Sequence, residues 1–297
     1  MSHAHPLPEL VTGEGNLDEA LNWIVDADRV LIGAGAGLSA AAGYDYGDTG
    51  RFQELFPALT EAGFRARYEL IGYPLPPRHL WGYWPRHVKD IRFGTEPNPL
   101  YQELRAMVGD REHFVMSSNV DGLFTRNGFD SDRVYTPQGD YALYQCLTPC
   151  TREVWDARPI IDRALQDYAP STGQTSEAAI PVCPNCGGEV FLNVYAGSWY
   201  INDHFQPNLE RLNHWLRNGV ATNANTVIVE IGSGFNTPGV IRWPMEGIVA
   251  NYPEAHLVRV NRDHPGVPAS IAHRAASLDG DAADLIHHFV TPERTPS

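Results

Sequence analysis

The chain has few basic residues and no long apolar run, and these two absences exclude several classes of function. Its 22 lysine and arginine residues stand against 36 aspartate and glutamate residues, which gives a formal net charge of −14. A surface so acidic attracts neither nucleic acid nor an anionic membrane, so we expect neither as a partner. No segment reaches the roughly 18 uncharged apolar residues that a membrane span needs. Residues 1–6 lack the basic region and apolar core of a secretory signal, so we expect a cytoplasmic protein.

Cysteine is also scarce, and its four residues fall into two close pairs. Cys146 and Cys150 are separated by three residues, and Cys183 and Cys186 by two. In a cytoplasmic protein such pairs hold zinc more often than they form disulfides. Four thiolates with none left over fit a closed tetrahedral site, so we predict a structural Zn²⁺ ion. Two incidental pairs or a redox dithiol are the alternatives.

The most informative segment is a glycine-rich stretch, residues 33–43. It follows residues 30–32, an apolar run that predicts a buried strand. Gly35, Gly37 and Ala40 fit the G-x-G-x-x-G/A spacing of dinucleotide-binding turns. In such a turn the backbone N–H groups approach a pyrophosphate closely, and the helix that follows adds a favourable dipole. The alternative is a tight strand-to-helix turn of small residues that binds no ligand.

Strands that alternate with helices predict an α/β fold with a doubly wound, parallel, Rossmann-like sheet. Asn16 is predicted to cap a helix over residues 17–26. An aromatic-rich region and the cysteine region interrupt the alternation, and we assign both to a smaller helical plus zinc-binding domain. The larger, nucleotide-binding domain is predicted to comprise residues 1–45, 92–140 and 218–297, and the smaller one residues 46–91 and 141–217. The predicted strands of the sheet are residues 30–32, 113–116, 133–135, 226–231 and 256–260.

Polar segments follow all five predicted strands. The first is the glycine-rich stretch, and the others contain Asn119, Gln138, Ser233 and Asn261. In an open parallel sheet, ligands bind beyond the carboxyl ends of the strands. The five segments together therefore predict a nucleotide crevice at that edge.

These segments, taken in order, resemble those of the sirtuins over roughly residues 18–289. Gly35-Ala36-Gly37-Leu38-Ser39 resembles the family's Gly-Ala-Gly-x-Ser loop, and Asn119-Val120-Asp121 resembles its Asn-Ile-Asp. The two cysteine pairs resemble its zinc module. Gly232-Ser233, Asn261 and Gly280-Asp281 resemble its adenosine-binding loops, and Tyr46 falls where the family has a phenylalanine that shields the reaction centre.

The resemblance implies NAD as the co-substrate and zinc as a structural ion. It also implies a set of residues that bind NAD. These are Gly33, Gly35, Ala36, Gly37, Ser39, Tyr46, Asn119, Asp121, Gln138, Gly232, Ser233, Asn261 and Asp281.

The chain departs from most sirtuins at the position of the catalytic histidine, where it has Gln138. The family's arginine after Asp-Phe is also missing, and Gly47 stands in its place. Glutamine is typical of one branch, the class M or macrodomain-linked sirtuins. Members of that branch are protein ADP-ribosyltransferases, and some modify lipoyl-carrier proteins. Tyr195 stands at about the place where the branch usually has an arginine, which leaves the acceptor open.

The glutamine decides which chemistry we expect. Deacylation needs a base to deprotonate a ribose hydroxyl, and histidine can take that proton near neutral pH. Glutamine cannot titrate, so Gln138 can only orient a hydroxyl by hydrogen bonds. Release of nicotinamide needs no such base: Asn119 would orient water or the ribose, and Asp121 would hold the carboxamide or stabilise positive charge.

We therefore expect an NAD-dependent protein mono-ADP-ribosyltransferase with Asn119, Asp121 and Gln138 as catalytic residues and a protein acceptor. A lipoyl-carrier protein is one candidate acceptor. The alternatives are a deacylase that uses another base such as Asp121, an NAD glycohydrolase, and a non-catalytic NAD or ADP-ribose sensor. In a structural interpretation, Asn119 and Asp121 would only form a turn, and Gln138 would only satisfy backbone groups.

Overall fold

The computed structural model describes residues 9–291, which contain eleven strands, eleven α-helices and five short 3-10 helices. The expectation about a secretory signal and the outer ends of the predicted larger domain lie outside the described residues. The strands are β1 Leu10–Val11, β2 Arg29–Ala34, β3 Glu112–Ser117, β4 Val134–Tyr135, β5 Gly139–Cys146, β6 Trp155–Asp156, β7 Val190–Val194, β8 Thr226–Ile231, β9 Ala255–Val260, β10 Val267–Pro268 and β11 Ala275–Leu278. The helices are α1 Leu17–Asp26, α2 Ala36–Ala41, α3 Thr49–Leu55, α4 Pro57–Glu61, α5 Pro77–Ile91, α6 Pro99–Val108, α7 Leu123–Arg126, α8 Arg158–Gln166, α9 Gln206–Ala221, α10 Arg242–Asn251 and α11 Ala282–Val290.

A six-stranded parallel sheet forms the centre of the molecule, in the order β11-β9-β8-β2-β3-β4. This confirms the predicted α/β fold and all five predicted strands; β11 at the edge was not predicted. The chain passes outward from β2 through β3 to β4 and then returns to pair β8 with the other side of β2. The strand order therefore reverses between β2 and β8, and ligands bind at such a switch point in this class of sheet.

Helices cover both faces of this sheet, as its buried strands require. Every residue of β2 and of β8 is buried. Helices α1, α6 and α11 contribute to the apolar core on one face, and α9 and α10 to the core on the other. Gly33 in β2 permits the close packing of α10, because a Cβ atom there would lie 3.0 Å from the Cγ atom of Met245.

The predicted cap of α1 is present as a reciprocal capping box. The side chain of Asn16 accepts a hydrogen bond from the Glu19 backbone N–H at 2.9 Å, and the Glu19 carboxylate accepts one from the Asn16 N–H at 3.0 Å. Each bond satisfies a donor that the helix itself leaves unpaired. The helix begins and ends at the predicted residues.

A second, antiparallel sheet of three strands, in the order β6-β5-β7, carries the cysteine pairs at one end. It packs against helices of the 46–91 region in a separate, aromatic-rich core that includes Phe52, Trp81, Tyr83 and Trp84. Within residues 9–291, no helix combines the length and apolarity that a membrane crossing requires.

Candidate nucleotide cleft and reaction site

A cavity of about 450 Å³ opens at the switch point, beyond the carboxyl ends of β2, β8 and β9. Its walls include the start of α2, the start of α11, and residues 232–237 and 261–264. We call the segments 232–239 and 261–266, which contain these residues, the cleft loops. Seven of the predicted NAD-binding residues line it: Gly35, Ala36, Gly37, Gly232, Ser233, Asn261 and Asp281. The sequence motifs thus predicted residues that the fold brings to one cavity.

The glycines of this cleft allow two backbone segments to touch. The Gly35 N–H donates to the Ile231 carbonyl at 2.9 Å, and the Gly37 N–H donates to the Gly232 carbonyl at 3.1 Å. A Cβ atom on Gly37 would lie 2.7 Å from the Cα atom of Gly232, and one on Gly35 would lie 2.5 Å from the Gly232 carbonyl oxygen. Such distances leave no room for a side chain, so this contact requires glycine on both segments.

Asn261 and Asp281 shape the walls of the cleft through their own hydrogen bonds. The Asn261 amide N–H donates to the Ser233 carbonyl at 2.7 Å, and its side-chain oxygen accepts from the backbone N–H groups of Asp263 and His264 at 3.1 and 2.9 Å. The Asp281 carboxylate caps α11 by accepting from the Ala283 N–H at 2.8 Å. Direct contact of either side chain with NAD remains a prediction.

Ser39, Asn119 and Asp121 lie together where the loop after β3 meets the glycine loop. The Ser39 hydroxyl donates to the buried Asp121 carboxylate at 2.6 Å, and the Asn119 amide donates to the Gly35 carbonyl at 2.9 Å. Burial raises the pKa of the Asp121 carboxyl group, although the hydrogen bonds from Ser39 and from the Leu123 N–H oppose that rise. These contacts bring two of the three predicted catalytic residues, Asn119 and Asp121, beside the nucleotide cleft.

Gln138 lies outside the nucleotide cavity, between the two sheets. Its carbonyl accepts a hydrogen bond from the Tyr195 N–H at 2.9 Å. The next residue, Gly139, has a φ of +107° and pairs with Val194 of β7. A Cβ atom on Gly139 would lie 2.1 Å from the Asn193 carbonyl oxygen, so glycine is required here too. The zinc-module sheet therefore fixes the backbone of Gln138.

A second cavity, of about 310 Å³, adjoins this region. Asn119, Asp121, Gly139 and Asp140 line it together with His204, which the sequence did not single out as a site residue. Asp140 is bound by the guanidinium of Arg92, with N···O distances of 2.7 and 3.1 Å. The loop after β3 and the segment around Gln138 thus share one wall.

Tyr46 lies beside the aromatic-rich core that packs against the second sheet, and it lines neither cavity. Its hydroxyl is 3.4 Å from the hydroxyl of Tyr141, and its ring meets the edge of His87 with the centroids 5.0 Å apart. Burial raises the pKa of Tyr46, and the neighbouring Tyr141 adds to the rise. Tyr46 is therefore a neutral residue near the reaction region, and a role as a lid over nicotinamide stays a prediction.

The four cysteines converge as predicted. The sulfur atoms of Cys146 and Cys186 are 3.7 Å apart, those of Cys150 and Cys183 are 3.6 Å apart, and all four lie within 4.8 Å of one another. A tetrahedral zinc ion with Zn–S bonds of about 2.3 Å places sulfurs roughly 3.8 Å apart. One closed four-thiolate site fits this geometry better than two independent dithiols, so the cysteines fit a structural zinc ion.

Comparison with known proteins agrees with this fold. No family model matches the chain. It is 36% identical over 250 residues to a probable bifunctional ADP-ribose hydrolase/ADP-ribosyltransferase of Fusarium oxysporum f. sp. cubense, covering 80% of this chain but only 41% of that protein. It is 27% identical over 275 residues to a protein ADP-ribosyltransferase of Staphylococcus aureus (strain Mu50 / ATCC 700699), covering 90% of this chain and 85% of that one.

Among solved structures, a Sir2 homolog–NAD complex superposes with a TM-score of 0.58 at 19% identity, over 94% of both chains. The chain therefore has the sirtuin fold that its motifs predicted. Within that fold, its sequence is similar to proteins named as ADP-ribosyltransferases.

Proposed function

We propose that the chain is an NAD-dependent protein mono-ADP-ribosyltransferase of the class M type. The observation that carries the proposal is a sirtuin fold with glutamine, a side chain that cannot titrate, where most sirtuins have the catalytic histidine. The two relatives named as ADP-ribosyltransferases support it. The chain spans about two fifths of the Fusarium protein, so the activity of that whole protein cannot be assigned to the chain by similarity, and we state it as a proposal.

The proposed NAD site uses the cleft and the two loops beside it. The glycine turn before α2 and the walls around Gly232 and Ser233 would hold the adenosine and pyrophosphate. The N–H groups of Gly35 and Gly37 already donate within the protein, so the Ala36 N–H is the donor that would meet the pyrophosphate. Gly33 is buried in β2, so any effect on NAD would act through the packing of α10. NAD supplies the ADP-ribosyl group when its bond to nicotinamide breaks.

The protein's own residues would orient the groups around that bond. Asn119, fixed on the Gly35 carbonyl, would orient the ribose or a water molecule. Asp121, fixed by Ser39, would bind the carboxamide. Gln138 would orient a ribose hydroxyl through its amide without removing a proton. Zinc would hold the β6-β5-β7 sheet that carries the Gln138 backbone.

We further propose a smaller helical and zinc-binding domain of residues 46–91 and 141–205 and a larger domain formed by the rest of the chain. The boundary predicted at residue 218 is moved to the start of α9, because Leu212 and Trp215 of that helix pack in the core of the central sheet. The acceptor would approach the segment around Tyr195, whose side chain is 62% exposed. A lipoyl-carrier protein is the candidate acceptor that the class M type suggests.

The test uses NAD labelled in the adenylate, the purified protein, and a lipoyl-carrier protein in its lipoylated and unlipoylated forms, followed by a lysate of the cell that encodes the chain. Bound label, free nicotinamide and free ADP-ribose are measured together. We expect label on a discrete protein, and we expect Asn119→Ala and Gln138→Ala to abolish it. Gln102→Ala is the matched control, because Gln102 is exposed on α6.

Each alternative function gives a different outcome. Free ADP-ribose without labelled protein would identify a glycohydrolase and contradict the proposal. NAD-dependent loss of an acyl group from a peptide would identify a deacylase, and deacylation gained only by Gln138→His would show that the base alone was missing. Binding of NAD without any turnover would identify a sensor.

A further inference from the structure

Two buried arginines and two buried glutamates lie directly beneath the nucleotide cleft. Arg259 and Glu230 are fully buried register partners in β9 and β8, joined by two hydrogen bonds of 2.9 and 2.8 Å. Glu246 of α10 lies 2.9 Å from Arg259 and 3.5 Å from Arg242. The four formal charges cancel, which is the condition for burying them. None of these residues belongs to the sirtuin motifs described above.

Arg242 connects this cluster to both cleft loops. Its Nη1 atom donates to the His264 carbonyl at 2.9 Å and to the Ser233 carbonyl at 3.4 Å. Its Nη2 atom donates to the Gly266 carbonyl. The guanidinium is 1% exposed, so these charge-assisted bonds form away from water, where they are strongest. One planar side chain thus fixes the separation of the two loops.

In the cleft, these hydrogen bonds fix the backbone of Ser233. Its carbonyl is held from two sides, by Arg242 and by the Asn261 amide at 2.7 Å. Ser233 lines the cleft, and its hydroxyl oxygen is buried without a hydrogen-bond partner within residues 9–291. A buried hydroxyl without a partner costs free energy that a ligand can recover. The hydroxyl therefore keeps its hydrogen-bonding capacity for a ligand that enters the cleft.

We propose that Arg242 is a positioning residue, which acts by holding the Ser233 hydroxyl in place to bind the ADP-ribosyl part of NAD. This inference rests on the proposed NAD site, and it adds a residue that touches no ligand atom. Because Arg242 acts through Ser233, removing both side chains must cost little more than removing Arg242 alone.

The test is a double-mutant cycle with ADP-ribose as the probe and calorimetry as the measurement. Ser233→Ala removes one hydrogen bond and is expected to raise the Kd about three- to tenfold. Arg242→Met is expected to raise it at least as much, and Arg242→Lys by an intermediate factor, because an ammonium cannot reach the three carbonyls in one plane. The double variant is expected to bind within about twofold of Arg242→Met.

Arg29→Met is the matched control, because Arg29 is also a buried arginine of the central sheet but lies at the opposite end of β2, over the ring of Trp215. It is expected to lower the melting temperature without changing the Kd. If Arg242→Met does not fold, the Arg242→Lys cycle replaces it. A wild-type Kd in a folded Arg242 variant, or fully multiplicative effects in the double variant, would overturn the positioning role alone. A wild-type protein that binds no ADP-ribose would overturn the proposed function as well.

Discussion

Replacing Gly232 by alanine tests whether the cleft depends on contact between two backbones. Gly232 has a φ of +67°, and its added Cβ atom would lie 2.5 Å from both the Gly37 Cα atom and the Leu38 nitrogen. Backbone atoms cannot rotate away as a flexible side chain can. The two segments must therefore separate, and the hydrogen bond from the Gly37 N–H to the Gly232 carbonyl is lost with them.

The expected magnitude follows from these two effects. Alanine in the left-handed region costs about 1–2 kcal/mol, and each lost hydrogen bond costs about 0.5–1.5 kcal/mol. Gly35 lies on the segment that must move, so its N–H bond to the Ile231 carbonyl is counted as a second lost hydrogen bond. The strain and the two lost bonds sum to about 2–5 kcal/mol. At roughly 2 °C per kcal/mol for a chain of this size, the melting temperature should fall by about 4–10 °C. The ADP-ribose Kd should rise at least about tenfold, or ~1.4 kcal/mol.

Alanine variants of two other glycines distinguish the cost of backbone strain from the cost of the backbone contact. Gly128 has a φ of +90°, and Gly234 has no positive φ; a Cβ atom on either would meet no atom within 4 Å. Gly128→Ala should therefore lose about 1–2 kcal/mol of stability with an unchanged Kd, and Gly234→Ala, in the same loop as Gly232, should lose less than about 0.5 kcal/mol. If Gly232→Ala melts like Gly128→Ala and binds ADP-ribose like the wild type, the reasoning about backbone contact is refuted.

Two further predictions concern Asp121 and the zinc module. Because burial raises the pKa of Asp121, the wild type loses stability as the pH rises from the unfolded value of about 3.9 through the folded pKa, by about 1.4 kcal/mol for each unit of the rise. Asp121→Asn removes that loss of stability. Urea unfolding should therefore show that the variant becomes more stable than the wild type across this pH window and remains so at pH 7, while its activity is lost. A gain in stability that does not change with pH would contradict the prediction. Cys183→Ser should release zinc, lower the melting temperature and abolish transfer, whereas Val182→Ala, at an exposed neighbouring position, should do none of these. Metal analysis by mass spectrometry and calorimetric melting measure both variants, and a Cys183→Ser protein that retains its zinc would refute the four-thiolate site.

Short-range patterns in the sequence predicted the helices and strands whose formation depends on neighbouring residues. The capping box at Asn16 and Glu19 satisfies helix donors with residues three apart, so the start of α1 could be predicted from those residues alone. The apolar runs predicted five strands because parallel strands buried on both faces leave few polar positions. Strand β11 was missed since Ala-Ala-Ser-Leu has no β-branched residue, and its state depends on the pairing with β9.

The ion pair under the cleft could have been predicted from the sequences of two strands. Glu230 is the one charged residue of β8, and Arg259 is the one charged residue of β9. Each precedes the last residue of its strand, so adjacent pairing places them side by side. Opposite charges at equal positions in two buried strands indicate an ion pair. Neither strand, however, could indicate that Arg242 connects this pair to the cleft loops, because that contact depends on where α10 packs.

The backbone around Gln138 connects the cysteine sheet to the reaction site, whereas the nucleotide cleft is built by other segments of the chain. Strand β5 connects Gly139, next to Gln138, with Cys146, the first cysteine ligand, and its pairing with β7 has one bulge between Asp140 and Tyr144. Strand β7 follows the second cysteine pair and returns to Val194, next to Tyr195, whose N–H holds the Gln138 carbonyl. The glycine contacts that shape the nucleotide cleft belong to the other sheet. Loss of zinc should therefore displace the glutamine and the acceptor-facing segment while the cleft still binds ADP-ribose, which makes the metal a determinant of transfer and not of binding.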